Sequence, residues 1–275
     1  MFVSRVTATR YLLNNFSRSL CPYHHNALGT DASARADSLK REWNITVGRT
    51  DDDTGFTIKL NNINLKTPLK NLLKIQDETL TLAIANEWRS KAGKKKLDLP
   101  SMHLTTLAYE AIDNPFKESK QVVVNSIVEY LMFDTIRFRE VGQEELLKKQ
   151  SRHWDPIIGW FENKYVCHLP IEYGDITESQ KVPNRTRDIM TRTLESHERW
   201  PLIGLRYMTQ NLKSLVLATC LTERFLNVEQ AVDLARLETK FQLERWSKVE
   251  WEHDIDEHCT NARVAAGNLF YHLSL

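Results

Sequence analysis

The spacing of apolar residues changes once along this 275-residue chain, and that change limits the fold more than any other feature. From Trp43 to Leu65 apolar and polar residues alternate: Trp43, Ile45 and Val47, then Phe56, Ile58 and Leu60, then Ile63 and Leu65. Half-buried strands require this, because successive side chains leave opposite faces of a sheet. The segment DDDTG (Asp51 to Gly55) marks one turn. Asn61-Asn62 marks another, since asparagine tolerates the positive φ of a tight hairpin. Pro68 breaks the third run, so a small antiparallel meander is expected.

From Asp77 onward the spacing becomes helical. Leu80, Ile84 and Trp88 recur every fourth residue, with Asp77 placed to cap their helix. The basic run KAGKKK (Lys91 to Lys96) suits a solvated loop at its C-terminus, where cations are favoured. Leu104, Leu107, Ala108 and Ile112 form the next stripe, stopped by Asn114-Pro115, and Val123, Ile127, Val128 and Leu131 form another. A helix beginning near Gln143 meets Pro156, where it should kink or restart. After a polar loop containing Pro170, Gly174 and Pro183, four helices are expected: Asn184 to His197, Pro201 to Thr222, Val228 to Trp246, and Ile255 to Leu273. Asn227 and Gln230 fit a capping box for the third of these. The fold class is therefore α+β: a small antiparallel β-containing N-terminal domain with one helix (40–100), then a mainly α-helical C-terminal domain (101–275).

The first thirty residues contain Arg5, Arg10 and Arg18 and no acid before Asp31, with hydroxyl residues among Phe2, Val3, Val6, Leu12, Leu13 and Phe16. An acid-free, arginine- and serine-rich amphipathic leader has the composition of a mitochondrial transit peptide, so residues 1–39 are read as targeting sequence and flexible leader. The formal charge of +1 gives no reason to expect nucleic acid or an anionic membrane as partner. SLVLATCL (Ser214 to Leu221) is the most apolar run and is too short for a membrane span. Cys21, Cys167, Cys220 and Cys259 lie far apart, which suits reduced thiols. No two of the nine glycines are closer than seven residues, so the standard glycine-rich phosphate loops and the serine-hydrolase elbow are absent.

The chemically densest stretch is VEWEHDIDEHC, Val249 to Cys259. Ile255, Cys259, Ala262, Ala266, Leu269 and Leu273 follow at helical spacing and read as one core-facing seam. Asp254 and Glu257 then fit a D-x-x-E capping box. His253 and His258 stand five apart, about 140° around a helix, where a metal-binding pair on one face needs four. A metal-dependent hydrolase centred on His253, Asp254 and His258 is the rival reading. The remaining group, Glu250-Trp251-Glu252 close behind Trp246, suits protein recognition, where a large ring anchors in a pocket while charges set orientation, and equally suits two tryptophans closing the core at a helix end. Trp88 lies on an apolar stripe, where core placement is the ordinary outcome.

Several separated motifs resemble one family. FTIKLNNINLKTP (Phe56 to Pro68), LAIANEW (Leu82 to Trp88), MHLTTLAYEAIDN (Met102 to Asn114) and HWDPIIGW (His153 to Trp160) occur in order, followed by LKSLVLATCL, NVEQAVDLARLETKFQLERW and VEWEHD. Together they resemble the mitochondrial F1-ATPase assembly factor 2 family, chaperones of ATP synthase assembly, from about Arg41 to the end. The resemblance implies a mitochondrial matrix protein that binds the unassembled α subunit of the catalytic sector until a β subunit replaces it. It implies no catalytic residue, no cofactor and no small-molecule substrate. Its partner-binding position falls on Glu250, with Trp246, Trp251, His253 and Asp254 around it, and on Glu87 and Trp88 as further candidates. Ser247 stands where the family would have glycine, and Arg137-Phe138 where it more usually has Cys-Tyr.

Overall fold

The structure, a computed structural model, describes residues 43–92, 97–174, 181–246 and 252–275. The leader, the end of the KAGKKK run, and Glu250 and Trp251 lie outside the described residues. Strands β1 (Ile45–Arg49) and β2 (Phe56–Leu60) pair antiparallel, with Val47 opposite Ile58. Asn61 and Asn62 take φ of 51° and 65° and turn the chain into β3 (Ile63–Asn64), as their side chains favour. β4 (Lys74–Ile75) adds antiparallel to β2. The strands are short, but Ile45, Ile58, Leu73 and Ile75 are buried beneath helices.

Helix α1 (Glu78–Ser90) opens on Asp77, whose carboxylate accepts from the Leu80 amide at 2.7 Å. Its face of Leu80, Ile84 and Trp88 is buried. α2 (His103–Asp113) ends where Asn114 adopts a left-handed conformation with φ of 39°. The Asp113 carboxylate holds the loop after β3: it accepts from Thr67 Oγ1 at 2.5 Å, Asn71 Nδ2 at 2.9 Å and the Leu69 amide at 3.1 Å. The core under the sheet joins these residues to Leu104, Leu107 and Tyr109, and to Ile203 and Phe270 from much later in the chain. That core thus draws on residues from both sides of position 100.

α3 (Lys120–Val128), α4 (Glu144–Tyr165) and α5 (Asn184–Glu195) build the second core with the helices that follow. α4 runs through Pro156 as one helix, so of the two expected outcomes the restart does not occur. The helix expected from Pro201 to Thr222 is two: α6 (Arg199–Leu212) and α7 (Leu215–Thr222). Lys213 turns left-handed with φ of 56° between them, and the Ser214 side chain caps α7. The helix expected from Val228 to Trp246 also divides, into α8 (Val228–Ala235) and α9 (Leu237–Trp246), at Arg236. α8 carries the anticipated Asn227–Gln230 capping box. α10 (Glu252–Leu273) closes the fold against α6.

Sequence reading gave no sign of β5 (Phe138–Arg139) and β6 (Glu172–Tyr173), which pair in parallel. Two buried arginines secure that region. Arg137 donates to the carbonyls of Pro170 and Met132 and to Glu172, and Arg139 donates to the Ile136 carbonyl and to Asp155. Among the described residues no helix is long and apolar enough to cross a membrane.

Candidate functional site

Of the residues singled out in the sequence, Glu87 and Trp88 have the clearest surroundings. Met102 gives α2 no side-chain cap. Glu87 supplies one from α1: its carboxylate accepts from the Leu104 amide at 3.1 Å, and from the Thr105 amide and hydroxyl at 2.8 and 2.6 Å. Burial pushes its pKa up, and those three donors oppose the shift. A carboxylate at a helix N-terminus satisfies amides that the helix itself leaves unpaired. Trp88 is only 5% exposed and packs 6.2 Å from the ring of Trp43. Both therefore take part in the packing of α1 on α2 and the sheet, with Trp88 buried and Glu87 half-buried.

The other candidates gather where α9 ends and α10 begins. For Trp246, His253 and Asp254 the structure describes the helical backbone alone. α10 starts at Glu252, so Asp254 lies inside its first turn and is not the N-cap of a D-x-x-E box. Glu252 and Asp254 occupy the end of the helix whose dipole favours negative charge. Asp256 and Glu257 do more than complement that dipole. Arg236, at the break between α8 and α9 and with its side chain 11% exposed, pairs with Asp256 and lies 3.9 Å from Glu257. Lys240 bridges Asp233 at 2.5 Å and Glu257 at 3.2 Å.

α9 is held from its other side. The buried Phe241 ring sits beneath Lys149 and Arg245, at 5.1 and 4.7 Å. Lys149 pairs with Glu244 at 2.8 Å, and Arg245 with Glu145 at 2.7 Å. Gln150 of α4 donates to Glu238 at 2.7 Å, and burial raises the Glu238 pKa. The end of α9 thus pairs with α4 over the Phe241 ring, and the start of α10 pairs with Arg236 and Lys240.

The expected core seam of α10 is a correction too. Ile255 is 58% exposed and Leu269 is 44% exposed, and Cys259 and Ala262 are exposed as well. Thr260, Val264, Gly267 and Tyr271 are buried instead, at the same four-three-four spacing. The reason is the crossing with α6. A Cβ on Gly204 would lie 2.9 Å from the Gly267 carbonyl oxygen, and a Cβ on Gly267 would lie 2.8 Å from Met208 Cγ. Two glycines let the helices approach to backbone contact, and that contact selects the face. Gly204 and Gly267 were the sequence signal available for it.

Among the described residues, no group of three His, Cys, Asp or Glu is placed to hold a metal. His258 of the rival metal reading is exposed, while the side chains of His253 and Asp254 are outside the described set. The described side chains at the ends of α9 and α10 form ion pairs with α4, with the α8–α9 break and with Lys240.

Residues 25–162 match the model of the ATP12 chaperone protein family. The chain is 28% identical over 237 residues to the mitochondrial protein atp12 of Schizosaccharomyces pombe, covering 83% of this chain and 81% of that one. It is 24% identical to the mitochondrial protein ATP12 of Saccharomyces cerevisiae, covering 87% of this chain and 86% of that one. The crystal structure of Atp12 from Paracoccus denitrificans superposes with a TM-score of 0.74 and 25% identity, covering 86% of this chain and 98% of the other.

Proposed function

The chain belongs to the ATP12 chaperone family, and from that premise we propose that it holds the unassembled α subunit of the ATP synthase catalytic sector in the mitochondrial matrix until a β subunit replaces it. The observation that carries this reading is the joint match of sequence and fold along most of the chain to ATP12 proteins, two of them named as mitochondrial. The physical task suits the molecule. An orphan subunit exposes interface that belongs against its neighbour, and exposed apolar patches invite wrong association. A holder without nucleotide chemistry has to yield to a better partner, so its contact should be moderate and partly polar.

Glu250, with Trp246, Trp251, His253 and Asp254, is proposed as part of the client surface. The support is positional: α9 and α10 are anchored on either side of this segment by Arg245–Glu145, Lys149–Glu244, Arg236–Asp256 and Lys240–Glu257. The test is capture of purified α subunit by wild-type protein and by Glu250→Lys, with circular dichroism on both. Retention by wild type and loss in a folded variant supports the reading; unfolding in parallel with the loss makes Glu250 structural.

A further inference from the structure

Between β3 and β4 the chain leaves the sheet as a further hairpin. Lys66 pairs antiparallel with Leu72, the Leu73 amide donates to the Leu65 carbonyl at 3.0 Å, and the Thr67 amide donates to the Asn71 carbonyl at 2.8 Å. Thr67 and Leu73 are buried, so Lys66 and Leu72, on the opposite face of the ladder, point outward. Leu69 stands at the tip, 58% exposed. The three bonds to Asp113 hold that tip against the end of α2. Exposed Phe116 and Lys117 follow Asp113 within about 14 Å of chain. Charge is segregated at this corner. No acid occurs between Gly55 and Gln76. The carboxylate of Asp113 is taken up by the tip, and that of Glu118 accepts from Arg206 at 2.9 Å. Lys66, Lys70 and Lys117 form no ion pair among the described residues. Lys70 and Lys117 also hold φ of 67° and 51°, which glycine adopts freely and lysine only at a cost.

We propose that this corner docks the protein on the surface of an anionic lipid bilayer, independently of the client reading above. Leu69, Leu72 and Phe116 enter the headgroup boundary, and the three lysines lie over it. The chain's net charge of +1 conceals the feature, because the balancing acids lie elsewhere in the sequence. Three arguments select this occupant. First, the charge is complementary: unpaired cations surround exposed apolar side chains, which is the composition of a peripheral membrane contact. Second, the cations are lysines. Protein interfaces enrich arginine, tyrosine and tryptophan and deplete lysine. A bilayer attracts charge through a diffuse potential that needs no forked hydrogen-bond geometry, and rewards each lysine by about fivefold in affinity. Third, a second copy is disfavoured in any orientation. With no free acid in the corner, a two-fold contact sets lysine against lysine whether the hairpins run parallel or antiparallel.

The experiment uses the full chain and phosphatidylcholine vesicles, either neutral or containing about 30% phosphatidylglycerol. The arginine-rich leader itself suits anionic vesicles, so the readout is local: labelling of single lysines by an amine-reactive ester, followed by peptide mass spectrometry. With anionic vesicles, labelling of Lys66, Lys70 and Lys117 should slow at least about threefold, and with neutral ones it should not change. Lys148, exposed on α4, is the control and should keep its rate. Lys70→Gly combined with Lys117→Gly removes two charges and two costly backbone conformations, so the melting temperature should stay within about 2 °C of wild type. Two lysines are worth about 30-fold in affinity, so Lys66 should lose its protection in that variant. Protection by anionic vesicles that disappears in the folded variant supports the proposal. Unprotected lysines overturn it, as does equal protection by neutral vesicles or undiminished protection in the variant. Protection by purified α subunit in place of vesicles assigns the corner to the client, and protection on raising protein concentration alone assigns it to a second copy; either result overturns the proposal.

Discussion

Replacing Gly204 by alanine tests the helix crossing on which the placement of α10 depends. The new Cβ would lie 2.9 Å from the Gly267 carbonyl oxygen, 3.0 Å from the Tyr271 amide nitrogen and 3.2 Å from the Tyr271 Cα. All three are backbone atoms, so no side-chain rotation relieves the clash and the helices must separate. Overpacking of this kind costs about 1–3 kcal/mol, and immovable neighbours put Gly204→Ala near the upper end. The alanine returns about 1 kcal/mol in helix propensity. The net expectation is a loss of about 2 kcal/mol. Gly267→Ala should lose less, because its tightest contact is Met208 Cγ at 2.8 Å, and a methionine can repack. Gly159→Ala in α4 is the control: nothing lies within 4 Å of its Cβ, so propensity acts alone and the variant should be up to about 1 kcal/mol more stable. Urea unfolding at constant m reads all three. With m of about 2 kcal/mol/M, Gly204→Ala should move the midpoint down by about 1 M. Gly204→Ala as stable as Gly159→Ala would refute the close crossing, and with it the division of α10 into an inner and an outer face.

Three further outcomes follow from particular side chains. Asp134 is completely buried, accepting from the Ile136 and Val216 amides, and burial pushes its pKa up to about 6. An acid with a raised native pKa holds its proton better when folded, so stability should fall by about 3 kcal/mol as pH rises from about 4 to about 6; Asp134→Asn should flatten that window in a pH series of urea melts. Glu87→Ala removes the acceptor for three α2 donors and should cost about 2 kcal/mol by thermal melt, yet leave client retention unchanged below the melting transition. Arg236→Ala loosens the start of α10 by about 1 kcal/mol, since Asp256 is well exposed; faster amide exchange at residues 252–257, with little change elsewhere, is the readout.

What could be read from sequence was mostly local. The Asp77 cap, the Asn61-Asn62 hairpin and the Asn227–Gln230 box each depend on residues within a few positions, and the structure contains all three. Pairings across long separations left no local trace: β5 with β6, Glu87 with the N-terminus of α2, and Arg236 with Asp256. The breaks at Lys213 and Arg236 were missed because apolar spacing continues across them. The face of α10 was misread for a different reason. Its two stripes have equal spacing, and only the approach of Gly204 to Gly267, 63 positions apart in the sequence, decides between them. As for the candidate site, sequence singled out Glu87 and Trp88 but could not show that Glu87 caps α2 or that Trp88 is buried, because both depend on contacts distant in the chain.

The most direct test of the central claim is a pull-down of newly imported, unassembled α subunit from mitochondria by this chain, with β subunit added afterwards. The account predicts that α is recovered with wild-type protein, released as β is added, and poorly recovered by folded Glu250→Lys. Recovery of β without α, or equal recovery by wild type and Glu250→Lys, would contradict it.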